Sequence, residues 1–314
     1  MSYLRISETK VSSLKIIHYE HINYLGRLHG GVMLNFLVDT GMMSAIRVAK
    51  GLAVIASLDD VIFKKPISLG DNIAVEAEAE YVGNSSVEVS MRALRDEETL
   101  VEATGTYVKI DDLFKPIIIE NKLIADTEEE KRRMEKAIQR RNERQRDIKD
   151  RVEKKFDITD PTEGLRYRLS SKIFITPDMT YDGKIISAGK LLKAMDDLGG
   201  VLCGRYIKQS EPGTVVTVAV NRMSFYTPIR LGDIVEIRAG IIYVGNTSIE
   251  TLINVIRIDP KTMMKEHITT GYFTYVRVDS TGKPIRVPSY TPETEVEKKY
   301  YEEVLRRKKL ITTR

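Results

Sequence analysis

The sequence has little cysteine and little net charge. Cys203 is the only cysteine among 314 residues, which excludes an intrachain disulfide and a metal site built from several cysteines. A single thiol is consistent with a reducing compartment. The formal net charge of +4 is small for a chain of this length and gives no sign of a nucleic-acid-binding protein.

Several signatures of other protein classes are also missing. Residues 1–15 contain no apolar segment of signal-peptide length, and no apolar run reaches the roughly 18 residues that a membrane span needs. We therefore expect a cytoplasmic protein without a membrane span. There is no Gly-x-Ser-x-Gly motif of the serine hydrolases, Gly189–Lys190 lacks the rest of a phosphate-binding loop, and the four histidines show no metal-site spacing.

The most distinctive stretch is Asn23–Gly31, which reads Asn-Tyr-Leu-Gly-Arg-Leu-His-Gly-Gly. Apolar residues after it recur at spacings of three and four as far as Ala49, which predicts an amphipathic helix. Gly30 and Gly31 then lie at the helix start, where unpaired N–H groups and the absence of a side chain allow a polar atom to approach closely. A glycine-rich turn into a core helix, with His29 packed beside it, explains the same pattern without a ligand.

The second half of the sequence repeats the first. Four blocks return in the same order: Phe63–Asp71 as Phe225–Asp233, Tyr81–Glu88 as Tyr243–Glu250, Thr106–Asp111 as Thr274–Asp279, and Thr127–Lys131 as Thr294–Lys298. The first two blocks have the same offset of 162 residues (225 − 63 and 243 − 81). This order indicates a duplicated domain, and we place the two domains at 1–155 and 156–314.

Each half shows the same succession of elements: an extended stretch, a long apolar helix, and several strands. Ile73–Tyr81, Val87–Ala93 and Val235–Ala239 alternate between apolar and other residues, as half-buried strands do. Gly83–Asn84 and Gly245–Asn246 lie between such strands and are predicted to be hairpin turns. One helix against an antiparallel sheet in each copy predicts the α+β class.

A strongly charged segment ends each half. Asp126–Lys155 and Glu293–Lys309 are interpreted as solvated helices, because their apolar residues are widely spaced. The basic residues Arg140–Arg146 are assigned to a solvated face, with phosphate binding as the alternative.

The motif Asn-x-x-Gly-x-x-His-Gly-Gly, followed by a long helix and antiparallel strands and present in a duplicated chain, resembles the hotdog-fold acyl-CoA thioesterases. The resemblance is strongest to the double-hotdog branch with the brain-type acyl-CoA hydrolases. It implies a tandem hotdog fold, in which a curled antiparallel sheet wraps a central helix in each copy. It also implies hydrolysis of acyl-CoA, with CoA as part of the substrate and no separate cofactor. Family members often assemble three such chains, so a homo-oligomer is expected.

The resemblance divides the site residues between the two copies. Family members carry an acid nine residues after the histidine position, which is Asp196 in the second copy but Val38 in the first. The second copy has Ser187 where the first has His29. One complete set therefore combines Asn23, His29, Gly30 and Gly31 with Asp196, and the opposite set is Tyr181, Ser187 and Val38. This implies one working site and one degenerate site per chain.

Asp196 is unusual even without the resemblance. The face of the predicted helix that carries Asp196 also carries Leu192, Gly199 and Cys203, which are apolar or small. Burying an unpaired carboxylate is costly, so we expect Asp196 to be hydrogen-bonded at an interface. A purely structural carboxylate would satisfy the same expectation, and Asn23 could equally be a loop residue that bonds its own backbone.

The resemblance implies thioester hydrolysis with defined roles. Asp196 acts as general base on a water, or attacks directly to give an anhydride. The N–H of Gly30 or Gly31 polarises the thioester carbonyl. Asn23 orients the water or the carbonyl, and His29 binds the carbonyl or sets the loop.

Cations are expected near the site because CoA carries phosphates. The candidates are Arg27, Lys64, Lys65 and Arg222, and by resemblance the turn residues Gly245, Asn246, Thr247 and Ser248 with their counterparts Gly83–Ser86. Two other functions remain open at this point. A hotdog dehydratase would use a histidine with an acid, as His29 and Asp196 offer, and a non-catalytic sensor would bind acyl-CoA unchanged.

Overall fold

Each half of the chain is built around one long helix. The computed structural model describes residues 2–146, 153–208 and 213–312. Helix α1 (Gly30–Ala49) is the central helix of the first half, and α3 (Ala188–Ile207) is that of the second. Helices α2 (Glu128–Arg146) and α4 (Glu295–Thr312) follow the strands of their halves. Helix α1 begins at Gly30, as the glycine pair predicts.

The strands follow the same order in both halves. In the first half they are β1 (Tyr3–Arg5), β2 (Val11–Ile16), β3 (Ala53–Leu58), β4 (Val61–Phe63), β5 (Asn72–Val82), β6 (Ser86–Arg95), β7 (Glu98–Lys109) and β8 (Lys122–Ile124). In the second half they are β9 (Arg168–Phe174), β10 (Thr214–Val220), β11 (Met223–Ser224), β12 (Ile234–Val244), β13 (Ser248–Ile258) and β14 (Lys265–Val278). The predicted hairpin turns join β5 to β6 and β12 to β13.

A single twelve-stranded antiparallel sheet runs through both halves. Its main path is β2-β5-β6-β7-β4-β10-β14-β13-β12-β9. The halves join where β4 pairs with β10, with Ile62 opposite Ala219, and where β3 pairs with β11, with Leu58 opposite Met223. Strands β1 and β8 form a separate parallel pair. The two half-sheets are therefore continuous across the domain interface.

The sheet of each half packs against its own central helix. Helix α1 contacts β5, β6, β3 and β7, and α3 contacts β12, β10 and β9. Leu34 and Ala45 of α1 and Leu192 of α3 are fully buried, so the apolar stripe of each helix faces the sheet as its periodicity predicts. This arrangement confirms the tandem hotdog fold of the α+β class.

The two central helices cross at glycines. A Cβ on Gly31 would lie 2.7 Å from the Cα of Lys193 in α3, and a Cβ on Gly189 would lie 2.6 Å from the Cα of Asn35 in α1. Any side chain at either glycine would push the helix backbones apart. The crossing therefore brings the start of α1 next to the middle of α3, and the start of α3 next to the middle of α1.

Helix α1 is also long and apolar enough to cross a membrane, with a mean hydropathy of 1.3 over its most apolar window. This differs from the expectation that no apolar run reaches the length of a membrane span. In the fold, however, 67% of that window is buried inside the protein. A buried core helix can have the same length and the same apolar composition as a membrane span. We therefore interpret α1 as the central helix of its hotdog.

Helix α2 is not simply solvated, contrary to the interpretation from its sequence. Arg140 pairs with Glu80 at 2.8 Å, and Arg144 pairs with Glu88. Both glutamates lie on the outer face of the sheet and are almost fully buried beneath the helix. Two of the four arginines of the basic run, Arg140 and Arg144, therefore pair with carboxylates of the sheet. Residues 147–152 lie outside the described part of the chain, and the domain boundary after residue 155 stays a prediction.

Candidate active site

Asp196 joins the two halves at the helix crossing. Its side chain is 1% exposed. The Gly31 N–H, at the start of α1, donates a hydrogen bond of 2.6 Å to Asp196 Oδ2. The Thr217 hydroxyl, on β10, donates one of 2.8 Å to Asp196 Oδ1. Both carboxylate oxygens therefore have a donor, which allows the charge to be buried.

The surroundings of Asp196 tune its basicity. Burial raises the pKa of Asp196 above its usual range, while the nearby His29 and the hydrogen bonds from Thr217 and Gly31 act in the opposite direction. A carboxylate with a raised pKa is a better proton acceptor near neutral pH. Burial also raises the pKa of the Cys203 thiol well above its usual range, so this cysteine is a poor nucleophile.

His29 caps α1 and lies between two aspartates. Its Nδ1 accepts a hydrogen bond of 3.1 Å from the Gly31 N–H. The same N–H also donates to Asp196. Its Nε2 lies 3.4 Å from Asp197 Oδ1. A ring whose Nδ1 is an acceptor carries its proton on Nε2 when neutral, facing Asp197. This geometry fits the expectation that His29 sets the loop.

The two glycines have different positions in the site. The Gly31 N–H is occupied by Asp196 and His29, which favours Gly30 over Gly31 as the predicted donor to a substrate carbonyl. The Gly30 N–H has no hydrogen-bond partner among the described residues. A Cβ on Gly30 would lie 2.6 Å from the Thr217 hydroxyl oxygen and 3.0 Å from Asp196 Oδ2, so only glycine fits here.

The side-chain oxygen of Asn23 stabilises the loop that contains it. Its Oδ1 accepts hydrogen bonds from the backbone N–H groups of Leu25 at 3.0 Å and Arg27 at 3.3 Å, which fixes the turn before α1. That oxygen is therefore not available to a substrate. The Asn23 side chain also lines the cavity next to Asp196, and its Nδ2 makes no hydrogen bond within the part of the chain described. The amide NH₂ remains as a donor.

Thr217 is a site residue that sequence reasoning missed. It lies in β10, which reads Thr-Val-Val-Thr-Val-Ala-Val, and nothing in that β-branched sequence sets Thr217 apart from other strand residues. A β-bulge between Thr217 and Ala219 shifts the pairing register with β14 at this point. Bulges redirect side chains next to functional sites. Here the hydroxyl is aimed at Asp196.

A cavity of about 620 Å³ opens in front of these groups. Asn23, His29, Gly30 and Asp196 line one end of it. Along α3 it is lined by Gly200, Val201 and Gly204, and a Cβ on either glycine would meet no atom within 4 Å. Two exposed cations at the C-terminal end of α3 also line it: Arg205 in the helix and Lys208 directly after it. Sequence reasoning missed both, although Arg205 follows Gly204 directly and Lys208 lies one helical turn further on.

A smaller basic cavity of about 260 Å³ adjoins the first. The two share Leu28, Phe63, Val216 and Thr217. Arg27, Lys64 and Lys65, three of the four cations predicted to contact CoA, line the smaller cavity. Lys64 pairs with Glu102 at 2.7 Å, and Lys65 pairs with Glu98. A bound phosphate would compete with these exposed carboxylates for the lysines.

The structure does not bring the remaining predicted CoA contacts to either cavity. Arg222 turns away because its Nε pairs with Asp59 at 3.3 Å. Gly245–Ser248 is the tight turn between β12 and β13, in which the Gly245 N–H donates to the Ser248 carbonyl at 2.8 Å. Its counterpart Gly83–Ser86 is closed in the same way, and none of these turn residues lines either cavity.

The opposite set is related to the first by the duplication. The Tyr275 hydroxyl donates to the Asp196 carbonyl at 3.2 Å, and the Tyr107 hydroxyl donates to the Val38 carbonyl at 2.9 Å, so the two positions are equivalent. Val38 offers no carboxylate. Its neighbour Asp39 instead accepts a hydrogen bond of 2.9 Å from the Ser187 hydroxyl, and it does not occupy the place of Val38.

Comparison with known proteins gives three kinds of similarity. A family model described as the thioesterase superfamily matches residues 25–102 and 183–264. The cytosolic acyl coenzyme A thioester hydrolase of Rattus norvegicus is 27% identical over 309 residues, which cover 92% of this chain and 80% of that protein. Protein VdlD of Helicobacter pylori is 38% identical over 157 residues, 50% of this chain and 87% of that protein. A putative oleoyl thioesterase structure from Lactobacillus plantarum shares the fold, with a TM-score of 0.58 at 9% identity over 86% of this chain and 97% of that one.

Proposed function

The chain belongs to the thioesterase superfamily, and from that membership we propose that it hydrolyses acyl-CoA to a carboxylic acid and CoA at one composite site per chain. One observation carries the proposal. The buried carboxylate of Asp196, from the second hotdog, accepts the Gly31 N–H of the first hotdog at 2.6 Å. Asp196 lines a cavity of about 620 Å³, and the set occurs at only one of the two equivalent interfaces.

Asp196 serves as the general base. It removes a proton from a water molecule, whose oxygen attacks the thioester carbonyl, and the C–S bond breaks to release CoA as the thiolate. Direct attack by the carboxylate, giving an anhydride that water then hydrolyses, is the alternative for the same residue. A positioned base contributes on the order of 10²–10⁴-fold to the rate.

The Gly30 N–H stabilises the oxyanion that forms on the carbonyl oxygen. It lies at the start of α1, where the helix dipole also favours negative charge. The Asn23 Nδ2 is the second donor next to the same cavity. Gly31, His29 and Thr217 hold the base and the loop in place.

The two adjoining cavities divide the substrate between them. We assign CoA to the basic cavity, because its phosphates require cations and Arg27, Lys64 and Lys65 line it. The acyl chain then runs along α3 over Gly200 and Gly204. Arg222 and Gly245–Ser248 remain candidates for CoA contact only if another chain brings its substrate to them. No cofactor beyond the CoA of the substrate is required.

The protein is further proposed to be cytoplasmic and homo-oligomeric, as a trimer of double-hotdog chains. The location rests on the similarity to cytosolic hydrolases. The assembly is supported by the two end strands of the sheet, β2 and β9. They expose apolar side chains at Leu14, Ile16 and Phe174, beside backbone groups that have no further strand to pair with.

The test is thiol release from a panel of acyl-CoAs of short to long chain by purified protein. Asp196→Asn keeps the shape of the side chain but removes the base, so kcat should fall by about 10²–10⁴-fold. Asp112→Asn, which changes an exposed carboxylate, is the matched control and should retain full activity. Activity of Asp196→Asn equal to that of the control would contradict the assignment. No release from any acyl-CoA, with binding retained, would instead favour a dehydratase or a sensor.

A further inference from the structure

The basic cavity is lined in part by a tight turn of the second hotdog, residues 279–283. Asp279 fixes this turn, because its Oδ1 accepts hydrogen bonds from the backbone N–H groups of Thr281 and Lys283, both at 2.9 Å. The Gly282 N–H donates to the Asp279 carbonyl at 2.9 Å. Gly282 itself lines the cavity and has a φ of +83°, a conformation that favours glycine.

Arg27 of the first hotdog lies directly on this turn. Its Nη2 donates a hydrogen bond of 2.9 Å to the Thr281 carbonyl, and a Cβ on Gly282 would overlap its guanidinium group. Because the guanidinium is the end of a flexible side chain, a side chain at residue 282 would displace it and leave the turn intact. Within the described residues Arg27 has no carboxylate partner, whereas Lys64 and Lys65 each have one. Arg27 is therefore the cation of this cavity whose charge is not already paired.

The equivalent turn of the first hotdog carries a phenylalanine where the second carries a glycine. Asp111 Oδ1 accepts hydrogen bonds from the N–H groups of Leu113 and Lys115, and the Phe114 N–H donates to the Asp111 carbonyl at 2.9 Å. Phe114 lies 168 residues before Gly282, the same offset as between the two aspartates (282 − 114 and 279 − 111). Its φ is +64°, so a turn of this shape accommodates a side chain.

The residue that faces the turn differs in the matching way. Ile185 occupies the position of Arg27: Arg27 pairs with Ser68 in an antiparallel bridge, and Ile185 pairs in the same way with Arg230. Ser68 and Arg230 are separated by 162 residues (230 − 68), the offset of the repeated block that contains them. Glycine thus accompanies arginine at one interface, and phenylalanine accompanies isoleucine at the other. Only the interface with the glycine and the arginine carries the catalytic carboxylate.

We propose that Gly282 is a positioning residue for CoA recognition, because it leaves the space in which Arg27 is held ready to bind a CoA phosphate. The proposal rests on the proposed function, which assigns CoA to this cavity. A guanidinium that donates to one backbone carbonyl keeps further N–H groups for phosphate oxygens, and such charge-assisted bonds are strong. Since the turn holds the side chain before CoA binds, little rotamer freedom is lost in the complex.

The first test is calorimetric titration of the full chain with CoA, which requires no turnover. Gly282→Phe introduces the residue of the equivalent turn, and Arg27→Ile introduces the residue at the equivalent position before α3. Each variant should raise the Kd for CoA about ten- to a hundred-fold. The double variant should bind no more weakly than Arg27→Ile alone, since both changes remove one contact. Phe114→Gly, the reverse change in the other turn, is the matched control and should bind CoA as the parent does.

The second test, thiol release, separates CoA recognition from a general loss of structure. With decanoyl-CoA, Gly282→Phe should raise KM about ten- to a hundred-fold and leave kcat unchanged. Decanoyl-pantetheine lacks every phosphate of CoA, so its kinetic constants should be the same for Gly282→Phe and the parent. Gly282→Ala gives the same comparison with a smaller side chain if Gly282→Phe fails to fold.

Two results would overturn the proposal and leave the proposed hydrolysis intact. One is a Kd for CoA that Gly282→Phe does not change, because Arg27 would then need no space above the turn. The other is an equal loss of activity with decanoyl-CoA and decanoyl-pantetheine, which would make the glycine purely structural. Conversely, CoA binding that depends on both residues, without hydrolysis of any thioester, would support this role of Gly282 and contradict the proposed function.

Discussion

The Thr217 hydroxyl holds Asp196 in its charged form. Its hydrogen bond of 2.8 Å to Asp196 Oδ1 lowers the pKa of that carboxyl against the effect of burial. Thr217→Val should therefore raise the pKa of Asp196 further. A general base works only when deprotonated, so activity is lost as the pH falls through this pKa. We expect the acid limb of the kcat/KM profile to move to higher pH by about one unit.

The control for this prediction is Thr217→Ser, which keeps the hydroxyl and should keep the profile of the parent. The measurement is kcat/KM for one acyl-CoA between about pH 4 and pH 9 by thiol release. An acid limb at the same pH in Thr217→Val and Thr217→Ser would show that the hydrogen bond does not govern the base.

Individual site residues were predictable from the sequence to different degrees. Asp196 followed from the resemblance, which places an acid nine residues after the histidine position, and its otherwise apolar helical face added only that it needs a partner. Gly30 and Gly31 were found because they directly precede a run of apolar residues with helical spacing. Thr217 was not, since its direction depends on a bulge that the sequence of β10 does not reveal. The direction of Arg222 depends on Asp59, which another loop brings beside it.

Helix α3 presents a glycine face where α1 presents large side chains. Gly200 and Gly204 correspond to Met42 and Ile46 of α1 by the offset of 158 residues (200 − 42 and 204 − 46). The glycines leave the cavity along α3 open, so we predict that they set the acyl chain length. Gly204→Leu should lower kcat/KM for long acyl-CoAs at least about ten-fold relative to short ones. Its folding stability should not fall, because leucine favours a helix over glycine by roughly 0.5–1 kcal/mol.

The matched control is Ile46→Leu, a change of shape without change of volume at the equivalent position of α1, which should leave the chain-length preference unaltered. Thiol release from the acyl-CoA panel measures both variants, and thermal unfolding measures their stability. A uniform rise in KM for every chain length in Gly204→Leu would contradict the prediction, because it would place CoA rather than the acyl chain over α3.

The elements themselves followed from periodicity and duplication, but their surroundings did not. The strands β5 and β12 lie where alternation predicts them, and both central helices begin where their small residues indicate. The charged helix α2 was misjudged as solvated because its sequence does not show Glu80 and Glu88, which come from the sheet beneath it. Side chains that pair across distant elements are invisible to a local pattern.

The whole chain should bind one substrate and not two. Only one interface combines Asp196 with Arg27, Lys64 and Lys65. A non-hydrolysable thioether analogue, S-decyl-CoA, is therefore expected to bind with a stoichiometry of one per chain. Isothermal titration calorimetry measures this directly. Two equivalent sites per chain would contradict the assignment of the opposite set as degenerate.

The assembly of whole chains is a separate prediction. Light scattering during size-exclusion chromatography should give about three times the chain mass of 35.7 kDa. The physical reason is the exposed apolar surface at the end strands of the sheet, which association would cover. The mass of a single chain at micromolar concentration would contradict the proposed trimer, without bearing on the catalytic site.

The continuous sheet that joins the two hotdogs also has a consequence for how such a protein can change over time. In a pair of identical subunits, each substitution occurs twice and alters both interfaces together. Joined in one chain, Val38 and Asp196 occupy equivalent places but are encoded by separate codons. One interface is thereby freed from the requirement to catalyse while the other retains it, so a single gene can keep an enzyme and acquire a second property beside it.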